Sequence, residues 1–219
     1  RHARVDVRAA SSAKEAMRVA QGLFEEGFIT YHRTDSPTLS EEGLKGAREA
    51  VKARFGNDYL SAQPKTYADK AQAGAQEAHE AIRPAGSEFK DPDQTELRGR
   101  DLEMYRLIWQ RTLASQMADK RFTSTTAIVD AQEARFEAKG TRVDFAGFAA
   151  VYDVEEDTVG TLPALKRGDK PTLRDLEAQK HETKPPARFT EASLVKALVE
   201  ERIGRPSTYA SILETIKDR

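Results

Sequence analysis

Apolar residues recur at helical spacing at Ala13, Ala16, Ala20, Leu23 and Phe24, which predicts a first helix. Ser12 and Glu15 stand at capping-box spacing at its start, and Gly27 suits its C-terminal stop. Phe28 to Tyr31 then reads as a short buried strand or extended segment. Ser40 opens a second helix, with Leu44, Ala47, Val51 and Phe55 on one face and Gly56 as its stop. The stretch from Asn57 to Ala75 is loop-like. Gln76 to Ile82 is helix-prone and is cut off at Arg83-Pro84, because a residue before proline is pushed out of the helical region. A strong helix is predicted from about Arg100 to Met117, burying Leu102, Tyr105, Ile108, Trp109, Leu113 and Met117.

The pattern changes near Phe122. Thr123, Thr125, Thr126, Ile128 and Val129 are strand formers. Ala134 to Ala138, a turn at Lys139-Gly140, and Thr141 to Phe145 read as a hairpin. Ala149 to Val154 and Pro171 to Glu177 are further strand candidates, separated by a turn at Lys166-Arg167-Gly168-Asp169. Pro185-Pro186 marks a boundary. Thr190 then caps a helix carrying Ala192, Leu194, Val195, Leu198 and Val199, Gly204-Arg205-Pro206 breaks it, and Ser207 starts another through Ile212, Leu213 and Ile216. The expected fold class is α+β and multi-domain. A helical domain covers residues 1–119, a β-rich segment 120–184, and a helical segment 185–219.

Composition narrows the function classes. The 219 residues can bury a sizeable core. No window approaches the roughly 18 apolar residues of a membrane span, and no signal peptide opens the chain. The chain has no cysteine, so disulfides and thiolate metal sites are excluded. Its 35 basic and 36 acidic residues nearly cancel. Nucleic-acid contact would have to come from local basic clusters rather than bulk attraction. No G-x-x-x-x-G-K-[ST] loop is present, which argues against ATP dependence. No carboxylate cluster stands out as a metal site.

Three constellations can carry chemistry. In Gly27-Phe28-Ile29-Thr30-Tyr31-His32-Arg33-Thr34-Asp35-Ser36, extended backbone puts Tyr31 and Arg33 on one face. A phenol could attack a phosphodiester there while the guanidinium pairs with the nonbridging oxygens. The plainer reading, an interfacial tyrosine beside a surface arginine, is the better one from spacing alone. Gln76-Glu77-Ala78-His79-Glu80-Ala81-Ile82-Arg83-Pro84 sets one histidine among carboxylates, where it could relay a proton or hold a phosphate. It lacks the second histidine of a zinc helix, and taken alone a solvated charged helix with an incidental histidine is the better reading. Gly204-Arg205-Pro206-Ser207-Thr208-Tyr209 offers free amides, hydroxyls and an arginine at a helix start, a plausible phosphate corner or an ordinary capped turn.

Together, the three segments resemble those of the bacterial type IA DNA topoisomerases. The resemblance takes in Pro185 to Lys196 and Leu107-Ile108-Trp109-Gln110-Arg111, and runs from about Lys14 to Arg219. It implies part of a toroidal enzyme core that relaxes negatively supercoiled DNA without ATP, through transient single-strand cleavage, strand passage and religation. By the family pattern Tyr31 becomes linked to a 5′ phosphate, Arg33 contacts the scissile phosphate and His79 belongs to the active site. Arg205, Ser207, Thr208 and Arg219 match the single-strand DNA-binding region. Single-stranded and negatively supercoiled DNA are the implied partners. A monomer in the bacterial cytoplasm, at the nucleoid, is expected.

The resemblance also has departures. The family holds Mg2+ in an acidic Toprim domain that precedes this region, and nothing in the chain matches it. No metal ligand is therefore assigned, and a fragment inactive on its own is expected. His32 stands where many relatives have methionine, a change expected to be tolerated. Two alternatives remain. A noncatalytic helix-turn-helix over Thr190 to Lys217 would prefer duplex DNA. A phosphoesterase using His79 would turn over without a protein–DNA adduct.

Overall fold

The computed structural model describes residues 12–34, 36–67, 80–152 and 160–218. It combines helices with one small antiparallel sheet. The chain divides into two compact units, residues 1–118 with 189–219, and residues 119–188.

In the first unit, α1 (Ala13–Glu25), α2 (Glu41–Phe55) and α3 (Gly99–Gln116) form the core, with α3 packed against both others. Val19, Leu23, Ile29, Ala47, Val51, Tyr105, Trp109, Leu113 and Met117 are buried. α1 starts at Ser12, whose hydroxyl oxygen accepts the Glu15 amide at 3.2 Å. Only half of the expected box forms, because the Glu15 carboxylate is taken by Arg18 and Arg100, each at 2.8 Å. Those two cations hold it down to about 2.

α1 ends on Gly27 at φ 76, with the Phe28 amide donating to the Leu23 carbonyl at 2.8 Å and Gly27 to Phe24 at 3.0 Å. This paired closure needs a left-handed residue, which glycine supplies without a Cβ penalty. It turns the chain directly into the Phe28–Tyr31 segment. That segment makes a single antiparallel bridge, Ile29 to Pro84. On the far side of the proline restriction, Glu80 to Ile82 are not helical. The rest of that expected helix lies outside the described residues.

α4 (Glu191–Glu200) begins with a capping box between Thr190 and Ser193 and closes with Arg202 left-handed at φ 59. α5 (Tyr209–Lys217) packs on α1. The links run to the start of α1: the Ala13 amide donates to Glu191 Oε2 at 2.7 Å, Lys14 pairs with Glu214 at 2.8 Å, and Lys217 pairs with Glu191. Thr208, rather than the expected Ser207, occupies the N-cap position of α5.

The second unit holds a long hairpin of β1 (Arg121–Ala131) and β2 (Ala134–Phe145). Its turn lies at Gln132-Glu133, with Gln132 at φ 55, and not at Lys139-Gly140. Gly140 instead sits within β2 opposite Thr125. A Cβ there would come within 2.7 Å of the Gly160 carbonyl oxygen, so this glycine serves close approach rather than a turn. Of the further strand candidates, Ala149 to Tyr152 lies in a 3-10 helix, Gly147–Tyr152, with residues 153–154 outside the described residues, and the residues of 171–177 lie outside any strand. The turn at Lys166 to Asp169 is present, with Gly168 at φ 95.

Candidate functional site

The site is a loop pinned at both ends against one segment. At its start, the Thr30 amide donates to the Arg83 carbonyl at 2.9 Å. The Arg83 amide donates back to Thr30 Oγ1 at 3.0 Å, and that hydroxyl donates to the Ala81 carbonyl at 3.0 Å. At its end, the Ala81 amide donates to the Thr38 carbonyl at 2.7 Å. The Ser40 hydroxyl donates to Glu80 Oε2 at 2.6 Å. Between these anchors the chain carries Tyr31, His32 and Arg33. Ser36 and Thr34 tighten it through a bond from the Ser36 amide to Thr34 Oγ1 at 3.0 Å.

Burial alternates along the tip. Tyr31 is 37% exposed, His32 is 3% exposed, and Arg33 is exposed. Tyr31 and Arg33 therefore both face outward, as extended spacing predicts, although the backbone bends at His32 and Arg33. The Tyr31 ring meets Phe24 edge-on, with centroids 5.4 Å apart, and His32 at 5.5 Å. Other tyrosines are placed differently. The Tyr105 hydroxyl donates to the Lys90 carbonyl at 2.8 Å, and burial pushes this phenol up to about 12. The Tyr67 hydroxyl donates to the Ser115 carbonyl at 3.1 Å.

Arg83 fixes the supporting segment. It is 3% exposed. Nε and Nη2 donate to the two Glu80 oxygens at 2.8 and 2.9 Å, and Nη1 donates to the Pro84 and Gly86 carbonyls at 2.9 and 2.8 Å. Nη2 also reaches Glu42 at 3.2 Å, at the start of α2. Burial pushes the Glu80 carboxyl up, but the bonds from Arg83 and Ser40 outweigh it and hold it below the usual range. Sequence reasoning read Arg83 as a helix stop and Ser40 as a cap. The three-residue spacing of Glu80 and Arg83 was a visible signal for their pairing. Nothing in the chain pattern signalled that both would meet residues 30–42.

Of the other predicted site residues, His79 and Arg219 lie outside the described residues. Arg205, Ser207 and Thr208 are exposed on the α4–α5 loop. Thr208 Oγ1 accepts the Arg205 amide at 2.9 Å and donates to its carbonyl at 3.1 Å, shaping a tight turn. Gly204, at φ 79, makes room for Ile212 there. Bonds from α4 and α5 reach the start of α1, whereas Tyr31 follows its end, roughly 20 Å away along a helix of this length. The structure joins the Tyr31 and Arg83 segments. Among the described residues no group of three or more histidine, cysteine or acidic side chains could hold a metal ion. Among them, no helix is long and apolar enough to cross a membrane.

Comparison with known proteins gives a consistent picture. A family model described as DNA topoisomerase matches residues 7–219. DNA topoisomerase 1 of a Synechocystis strain is 52% identical over 216 residues, covering 95% of this chain and 24% of that protein. The DNA topoisomerase 1 proteins of Synechococcus elongatus and Streptomyces coelicolor are 54% and 49% identical, over 95% and 94% of this chain and 24% and 23% of theirs. The solved structure of full-length topoisomerase I from Thermotoga maritima matches with a TM-score of 0.71 and 31% identity, over 94% of this chain and 34% of that one. The chain spans about a quarter of the length of the curated relatives it matches.

Proposed function

The chain belongs to the DNA topoisomerase family, and on that premise we propose that it is the nucleophile-bearing part of an enzyme that cuts and reseals one DNA strand. The observation that carries this reading is the outward pair Tyr31 and Arg33 on a loop tied at both ends to residues 80–83. Pinning matters because an attacking oxygen must be held near its target, and positioning supplies much of the barrier reduction in such reactions.

In the proposed step, Tyr31 Oη attacks the scissile phosphorus in line with the departing 3′ oxygen. A bond forms between Oη and phosphorus, and the bond from phosphorus to O3′ breaks. The phenol gives up its proton, and the 3′ oxygen gains one. The product is a 5′-phosphotyrosine ester and a free 3′ hydroxyl. Arg33 pairs with the nonbridging oxygens as charge builds on them. One phosphoester replaces another, so resealing is the same step reversed and needs no nucleotide. Passage of the other strand between the two steps changes the linking of the DNA and relaxes negative supercoils. Magnesium, where the relatives use it, would be held by chain outside these residues. Arg205, Ser207 and Thr208 would grip a single strand.

The helix-turn-helix alternative is less well supported. Glu214 on α5 is paired with Lys14, and Lys217 with Glu191, so charged positions of the second helix are engaged within the unit. The test is covalent capture. The 219 residues replace the matching span of the Synechocystis relative, and the chimera is incubated with 3′-labelled single-stranded DNA and magnesium, then denatured. A labelled adduct is expected, lost in Tyr31→Phe with DNA binding largely retained. An adduct that survives the substitution would overturn the reading. The 219 residues by themselves are expected not to relax plasmid DNA.

A further inference from the structure

His32 is the anomaly of the site. It is 3% exposed, and neither ring nitrogen has a hydrogen-bond partner among the described residues. A neutral imidazole offers one donor and one acceptor, and burying both unpaired is costly. An apolar side chain would fill this place at less expense. The ring is instead packed among aromatics, with centroids 6.0 Å from Phe24 and 5.5 Å from Tyr31, while Phe24 and Tyr31 also touch each other. The three rings form one cluster in which His32 is buried, while Phe24 and Tyr31 are 36% and 37% exposed.

Charge decides what this cluster tolerates. Burial is the main influence against an imidazolium here, Arg33 on the same segment adds to it, and Glu25 in the last turn of α1 works the other way. A cation in this place would have two buried N–H donors and no acceptor among the described residues. It would have to leave for water, and the packing behind Tyr31 would go with it.

We propose that His32 is a positioning residue for Tyr31: its neutral ring braces the phenol against Phe24, and its protonation releases the phenol, giving strand cleavage an acid limb. The cleavage half rests on the nucleophile reading above; the bracing half does not.

The test separates the two. In the 219-residue chain with labelled histidine and tyrosine, NMR follows the His32 imidazole and the Tyr31 ring between pH 5 and 8. His32 is expected to titrate below the ordinary histidine value of about 6.5. The Tyr31 ring signals should shift with the same midpoint, and His32→Met should remove that Tyr31 transition. Tyr31 signals that stay flat while His32 titrates would overturn the proposal, and so would a His32 midpoint at or above the ordinary value. The wild-type titration decides this even if the variant fails to fold. In the capture assay, adduct formation should fall about tenfold per pH unit below the midpoint, and His32→Met should flatten that fall relative to neutral pH. An unaltered slope in the variant would count against the acid limb. If the NMR coupling holds and no adduct forms at any pH, the nucleophile reading fails and the bracing role stands.

Discussion

Arg83 makes a demanding prediction, because it supports the tyrosine loop without being offered to DNA. Arg83→Met removes a guanidinium that is 3% exposed and donates to two Glu80 oxygens, two carbonyls and Glu42. It also ends a cation–π contact with Phe89 at 5.7 Å. Glu80 is then left partly buried without its main partner, and the Pro84 and Gly86 carbonyls lose their donor. Breaking a buried pair from one side costs about 3–5 kcal/mol. Whole domains are stable by roughly 5–15 kcal/mol. For a chain of this size the melting temperature should fall by about 10 °C. Glu42→Gln is the control: that partner is 55% exposed, so its loss should cost less than about 1 kcal/mol. Arg83→Lys should recover only part of the loss, because an ammonium cannot reproduce the planar fork. Urea unfolding monitored at Trp109 measures all three. If Arg83→Met cost no more than Glu42→Gln, the clamp would not be what pins the loop.

Other consequences can be checked in the same assays. Thr30→Val removes the hydroxyl that joins the Arg83 amide to the Ala81 carbonyl. It should cost about 1–3 kcal/mol and lower adduct formation more than DNA binding. Gly46→Ala would place a Cβ 2.6 Å from the Ser87 carbonyl oxygen and 2.9 Å from the Phe89 ring. It should be destabilising by about 1–3 kcal/mol even though alanine favours helix. Gly27→Ala meets nothing within 4 Å, and its φ of 76 alone should cost about 1 kcal/mol. Glu80 sits below the ordinary carboxyl range in the fold, so the unfolded chain binds its proton more readily. Its stabilising contribution is full above the ordinary glutamate value and is lost as the pH falls through the folded one. Glu80→Gln should flatten that acid slope in pH-dependent melting.

Much of this was legible in the chain because local chemistry decided it. Ser12, Ser40 and Thr190 cap the helices that follow them, and the α3 pattern buries Tyr105, Trp109 and Leu113. The errors share a physical cause. Lys139-Gly140 looks like a turn, but glycine also serves where two backbones approach, and spacing cannot tell those uses apart. Pro171 to Glu177 reads as a strand candidate, but a strand needs a ladder partner, and pairing is not a local property. In the site, Tyr31 and Arg33 were visible as candidates. The clamp was not, because Ser40 and Arg83 are 43 residues apart and meet only in the fold. The burial of His32 was hidden for the same reason: Phe24 covers it from the preceding helix.

Tyr31 is proposed as the strand-cleaving nucleophile. Mass spectrometry of the captured adduct, digested with nuclease and trypsin, tests it most directly. Trypsin should release Val19 to Arg33 as one peptide. This peptide should carry a nucleotide joined through phosphate to the oxygen of Tyr31. A nucleotide on any other residue, or an adduct with Tyr31 unmodified, would contradict it.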